Sequence, residues 1–279
     1  TVGGSASLGG TEMATWNIGD VSITKVLEME KHWPFSALLP GAEEVIDDLD
    51  WLRPDFVTDE GRMKLSIHAL VIESDGQTII VDTCCGNNKD RPGAPAFDNL
   101  ETDFLGELSR CGFSPTDVDV VLSTHLHVDH VGWNTQLIDG TWVPTFPNAE
   151  YLFVRPEFEH WAAEPQDYGP VFEDSVQPII DAGLATVVEA DHQITANISL
   201  ELTAGHTPGH VSVVIESGND MALITGDMTH HPVQFAHPEM ASSADWRQDM
   251  STATRFEACL LYTSPSPRDR TRSRMPSSA

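Results

Sequence analysis

The stretch "STHLHVDHVGW", residues 123–133, constrains this chain more than any other. It sets His125, His127, Asp129 and His130 within six positions, directly behind the apolar run "VDVVLST". That run reads as a short buried strand delivering the cluster at its C-terminal end. On an extended segment His125 and His127, at i and i+2, point to one side. A turn immediately after them brings Asp129 and His130 round to a second position, about one metal–metal distance away. Neutral imidazole and carboxylate are ligands for zinc, iron or manganese. Four such residues in this context ask for more than a polar loop.

A metal site needs ligands from elsewhere, and two later segments offer them. "LTAGHTPGHVSVV" places His206 after a strand, in a Gly/Pro turn, and "ALITGDMTHH" places Asp227 directly after another apolar run. Each candidate thus lies at a strand's C-terminal end, where α/β folds build their sites. The rest of the pattern agrees. Residues 16–29 alternate β-branched and polar side chains and predict one strand. Residues 66–83 predict a hairpin turning at Asp75-Gly76. Leu100, Phe104, Leu105 and Leu108 stand at helical spacing ahead of Gly112. "AEYLFV" predicts a strand, "FEDSVQPIIDAG" a helix, and "ISLELTA", "VSVVIES" and "MALITGD" three further strands. Strands alternating with helices argue for the α/β class.

Composition removes several function classes. The 279 residues carry 43 Asp+Glu against 15 Lys+Arg, a formal net charge of -28. Such a surface repels nucleic-acid phosphates and anionic membranes, so neither is expected as a partner. No apolar run reaches the roughly 18 residues of a membrane span. Cys84, Cys85 and Cys111 form no paired zinc motif and read as small packing residues in a reducing compartment. Residues 1–12, Gly/Ser-rich, read as linker or untranslated leader before Met13. With no signal peptide visible, a cytoplasmic product is expected.

The motifs "TIIVDT", "THLHVDHVG", "GHTPGH" and "TGD", in this order, resemble those of the metallo-β-lactamase superfamily of hydrolases. The match covers most of residues 16–231. The resemblance implies an αββα four-layer sandwich with a dinuclear centre, two Zn2+ or alternatively Fe or Mn, at one edge. It implies that His125, His127 and His206 hold one metal and Asp129 and His130 the other, with Asp227 bridging. Asp82 and His210 would support these ligands from behind. An aspartate at the bridging position favours the lactonase, glyoxalase II-like, phosphotriesterase and arylesterase branches over true β-lactamases. Two cations would acidify a bridging water and polarise a carbonyl or phosphoryl oxygen. Asp129 would steer the nucleophile or protonate the leaving group. The substrate expected is a small, apolar ester, lactone or phosphotriester. Trp33, Phe35, Trp133, His230 and Phe235 fall in loops that could line its pocket. The alternatives are a mononuclear iron persulfide dioxygenase, a glyoxalase II-like thioesterase and an inactive metal-binding scaffold. A homo-oligomer stays open.

The resemblance also implies a last metal-ligand histidine near the C-terminus, yet no histidine follows His237. "CLLYTSPSPRD", residues 259–269, matches codon by codon the translation of a transposon adapter used in sequencing libraries. On this reading the chain is a metagenomic open reading frame, cut near Ala258 inside a helix that begins around "MSTATRFEA". Residues 13–258 are then an incomplete domain lacking its C-terminal strands and helix, and 259–279 a non-native tail.

Overall fold

The structure, a computed structural model, describes residues 14–263. The expected leader therefore lies outside the described residues, as does the expected tail from 264 onward. The strands are β1 (Thr15–Ile18), β2 (Val21–Trp33), β3 (Met63–Ser74), β4 (Gln77–Val81), β5 (Val120–Leu122) and β6 (Thr135–Ile138). They continue with β7 (Thr141–Pro144), β8 (Glu150–Val154), β9 (Ala185–Val188), β10 (Ile198–Leu202), β11 (Val211–Ser217) and β12 (Asp220–Ile224). The α-helices are α1 (Phe104–Arg110), α2 (Arg155–Ala163), α3 (Val171–Ser175), α4 (Gln177–Asp181), α5 (Val233–Ala236) and α6 (Gln248–Thr263).

One sheet runs β1-β2-β3-β4-β5-β8-β9, antiparallel as far as β4 and parallel from there. A second, antiparallel sheet is β10-β11-β12, and β6 with β7 makes a separate ribbon. The central strands are apolar on both faces because both faces are covered. Ile79, Val81, Val120, Leu122, Leu152 and Val154 turn inward against Ile198, Leu200, Val211, Val213 and Ile215 of the second sheet. The intervening Ile80, Val121, Tyr151 and Phe153 turn outward against Phe104 and Leu108 of α1 and Val171, Val176 and Ile179 of the α3–α4 region. On the far side Thr254, Glu257 and Ala258 of α6 face Thr203 and Leu223 across a small cavity. Helix, sheet, sheet, helix is the αββα order expected.

Two local expectations change. The single strand over 16–29 is a hairpin, β1 and β2, because Gly19 takes a positive φ and Ile18 pairs with Val21 across the turn. The single helix over 172–183 breaks into α3 and α4 at Pro178, which has no N–H to continue the ladder. Residues 35–52 lie in short 3-10 turns around Phe35, Leu39, Ile46 and Leu52, a third core that also takes in Val233. The helix near the C-terminus does form, and it runs on past Ala258 to Thr263. Among the described residues no helix is long and apolar enough to cross a membrane.

Candidate metal centre

Every ligand expected from the sequence sits at the end of a strand, and the sheets bring those ends together. His125, His127, Asp129 and His130 follow β5, His206 follows β10, and Asp227 follows β12. Asp227 Oδ2 is the hub. It stands 3.4 Å from His130 Nε2, 3.4 Å from His206 Nε2, 3.4 Å from His230 Nε2 and 3.9 Å from His125 Nε2. His127 Nδ1 lies 3.0 Å from His206 Nε2, and Asp129 Oδ1 lies 3.8 Å from His130 Nε2. Three groups, His125 with His127 and His206, His125 with His130 and Asp227, and His206 with His230 and Asp245, each converge closely enough to hold an ion.

The hydrogen bonds behind the imidazoles decide which nitrogen each offers. The Asp82 carboxylate accepts the Nδ1–H of His130 at Oδ2, 2.9 Å away, which turns His130 Nε2 to Asp227. Thr124 gives its hydroxyl proton to the same carboxylate at 2.9 Å, so it accepts from His125 Nδ1 at 3.1 Å. His206 donates Nδ1–H to Asp245 Oδ1 at 3.1 Å. Three histidines thus turn Nε2 to the centre, each held by an oxygen behind it. That is the arrangement of metal-bound histidines with carboxylate supports.

The site fits a metal by a second observation. His125 Nε2 is fully buried and has no hydrogen-bond partner among the described residues; the same holds for both ring nitrogens of His230. Two ligand atoms, each about 2.0–2.1 Å from a tetrahedral zinc, stand about 3.3–3.4 Å apart. Three of the four nitrogens around Asp227 Oδ2, at 3.4 Å, match that edge, and His125 Nε2 stands beyond it at 3.9 Å.

Electrostatics agree. Burial, reinforced by the neighbouring imidazoles, holds His125 and His127 well below the ordinary histidine range, so both present lone pairs rather than charges. Burial disfavours the charge on His130 as well, but Asp227, Asp82 and Asp129 outweigh it and raise that imidazole. Burial also opposes ionisation of Asp227, yet His130 and His230 keep its carboxyl well below the usual range. Asp129 is raised, first by burial and then by Asp227, against the pull of His130.

His210 stands outside the ring of ligands. It accepts the Asp227 N–H at Nε2, 3.0 Å, so its proton sits on Nδ1, facing Thr203 Oγ1 at 2.9 Å. Burial pushes it down to about 3. The expected pocket residues separate. Phe35 is wholly buried in the third core and meets His231 edge-on, and Trp133 stacks on Phe104 and donates its indole N–H to Glu28. Both are core residues, because their loops fold inward over apolar layers. Trp33 is half-buried against Phe97, Phe235 is exposed, and His230 belongs to the ligand cluster itself. Trp161 and Tyr168 face the ring of His127 instead, at centroid distances of 5.5 and 5.8 Å. Sequence reasoning missed Asp245 and Glu157. Nothing local marks either one, since each meets its partners only through tertiary approach.

The family description "Metallo-beta-lactamase superfamily" matches residues 63–259, which contain every one of these ligands. The chain belongs to the metallo-β-lactamase superfamily. Among superfamily relatives, an N-acyl homoserine lactonase of Bacillus sp is 26% identical over 166 residues, 59% of this chain and 60% of that one. The chain thus spans about three-fifths of the length of that relative. Of solved superfamily structures, the hydrolase AbOPH superposes with a TM-score of 0.71 at 26% identity, covering 88% of this chain and 84% of the other. AidC, a dizinc quorum-quenching lactonase in complex with a product, superposes at 0.68 with 22% identity over 88% and 85% of the two chains. The superfamily fold is common to all of them.

Proposed function

We propose that this chain is a dinuclear zinc hydrolase that opens lactone rings, with N-acyl homoserine lactones as the substrate class. One observation carries the reading: three histidine Nε2 atoms stand 3.4 Å from a single carboxylate oxygen, the spacing of two ligands on one metal, with a fourth at 3.9 Å. The lactonase relatives supply the substrate class.

In this reading His125, His127 and His206 hold one ion, Asp129 and His130 the other, and Asp227 stands between them. A bound pair of divalent cations supplies Lewis acidity toward the lactone carbonyl and acidifies water to near neutrality. The protein contributes position. Asp82, Thr124 and Asp245 fix the ring orientations from behind and His210 holds the Asp227 backbone, so the ligand geometry is set before substrate arrives. Asp129, buried beside His130, is placed to take a proton from the attacking water and pass it to the ring oxygen that leaves. Trp161 and Tyr168, beside His127, offer apolar surface to an acyl chain.

The test is elemental analysis followed by a substrate panel of acyl homoserine lactones, aryl esters and a phosphotriester. The reading expects two zinc ions per chain and ring opening that disappears on chelation. A single iron with oxygen uptake and no hydrolysis would overturn it in favour of the dioxygenase alternative. Asp129→Asn is expected to cut turnover by about 10²–10⁴-fold. Full turnover with full metal content would remove Asp129 from its role.

A further inference from the structure

Glu157 enters none of the motifs above, yet its carboxylate touches both histidine loops. We infer that Glu157 is a positioning residue: from α2 it locks the loop that bears His125 and His127 to the loop that bears His206 and His210, and so sets the spacing of the metal ligands. The inference rests on the metal-dependent reading of the site.

The geometry is specific. Glu157 Oε1 accepts the Leu126 N–H at 3.0 Å and the Trp161 indole N–H at 2.6 Å, and Oε2 accepts the Gly209 N–H at 2.9 Å. Leu126 lies between His125 and His127, and Gly209 lies between His206 and His210. The first loop leaves β5 in one sheet, and the second joins β10 to β11 in the other. One side chain therefore spans the seam between the two sheets at the point where their ligands meet. The side chain is buried. A glutamate at the third position of a helix ordinarily turns back to cap its N-terminus. Here the helix has no side-chain cap, and Glu157 points away to the loops. Gly209 permits the approach, because a Cβ there would collide with the Glu157 backbone nitrogen. The only other backbone hydrogen bond near this seam runs from Val211 N–H to the Thr124 carbonyl, at 3.0 Å among the described residues.

A carboxylate can accept from three N–H groups at once, whereas a carboxamide must turn its own NH2 toward one of them. Glu157→Gln should therefore loosen one loop relative to the other. The measurement is zinc affinity of the full chain by chelator competition, together with the visible absorption of the cobalt-substituted protein. Glu157→Gln is expected to weaken zinc binding about 10–100-fold and to shift the cobalt bands. Glu157→Asp keeps the charge but falls a methylene short of both loops, so it should move both readouts the same way. It serves as the second variant if the first fails to fold. Ile215→Ala, in the inter-sheet core toward the far end of β11, should lower Tm yet leave zinc affinity and the cobalt bands unchanged. Folded Glu157 variants with wild-type affinity and bands, or with only the Tm loss of Ile215→Ala, overturn the inference. A wild-type chain that binds no zinc fails the hydrolase reading itself, and with it this one. Wild-type binding matched by the Glu157 variants fails this inference alone.

Discussion

His230 brings two ring nitrogens into a buried cluster, and among the described residues neither has a hydrogen-bond partner beyond the ion-pair approach of Nε2 to Asp227 at 3.4 Å. Leaving buried polar groups unsatisfied costs about 1–3 kcal/mol each, which a ligand role beside Asp227 would recover. His230→Ala should then lower the zinc content below two per chain or weaken one ion at least about tenfold, by the size of such losses around bound metals. Unchanged stoichiometry and affinity would return His230 to the substrate side of the site. His68 offers a different residue-scale test. Its Nδ1–H donates to the Ser66 carbonyl at 2.8 Å, and burial, with Lys25 nearby, lowers it to about 4. The unfolded chain takes up this proton below about 6.5, the folded one only near 4. Its contribution is therefore complete above pH 6.5 and is lost as the pH falls toward 4, by up to about 3 kcal/mol. Urea midpoints against pH should flatten over that window in His68→Gln; an unaltered slope would rule the residue out. The candidate ligands were legible because five of the six lie in two short motifs and the sixth, Asp227, follows a strand almost directly. Asp245 and Glu157 were not, because a lone acidic residue gives no sign of the loop it will meet.

At the scale of elements, the sequence pattern revealed most where both faces of a strand are buried. The runs that became β4, β5 and β8 read correctly because apolar side chains on successive residues admit few alternatives. Residues 35–52 gave no such signal: their apolar side chains follow neither a helical nor a strand period, and only the fold gathers them against Val233. The link between α6 and the metal centre was equally hidden. Backbone N–H groups of Trp246 and Arg247 donate to the carbonyls of His206 and Gly205 at 2.9 Å each. Arg255, buried on α6, reaches the carbonyls of Met228 and Pro238 and approaches Asp245 at 3.6 Å. Arg255→Met should destabilise the fold, by about 1–3 kcal/mol for each of the two carbonyls it leaves without this donor. Zinc affinity should fall with it, because Asp245 orients His206. A urea midpoint within about 1 kcal/mol of wild type would show that α6 docks without Arg255.

For the whole molecule the dominant quantity is charge. With a formal net charge of -28, and with Lys89 and Arg91 spent inside the fold on Asp174, the surface repels itself. Salt shortens the reach of that repulsion to about 10 Å at 0.1 M and about 3 Å at 1 M. Raising sodium chloride from about 0.01 to 0.5 M should therefore raise Tm, in the range where the screening length falls most steeply. A flat or falling Tm would mean that the acidic residues are already neutralised by one another's surroundings. Bound zinc should act on top of this, by about 2.7 kcal/mol at a hundredfold excess over its Kd. The tie between His206 and Asp245 has a further consequence in time. A ribosome adding about 5–20 residues per second exposes His125 and His127 roughly 6–24 s before Asp245. During that interval the nascent chain displays these imidazoles while His206, even once made, lacks the carboxylate that will hold it. A zinc ion captured then would be held loosely and open to exchange, and firm retention would begin only after residues 245–247 have left the exit tunnel and docked on the His206 loop.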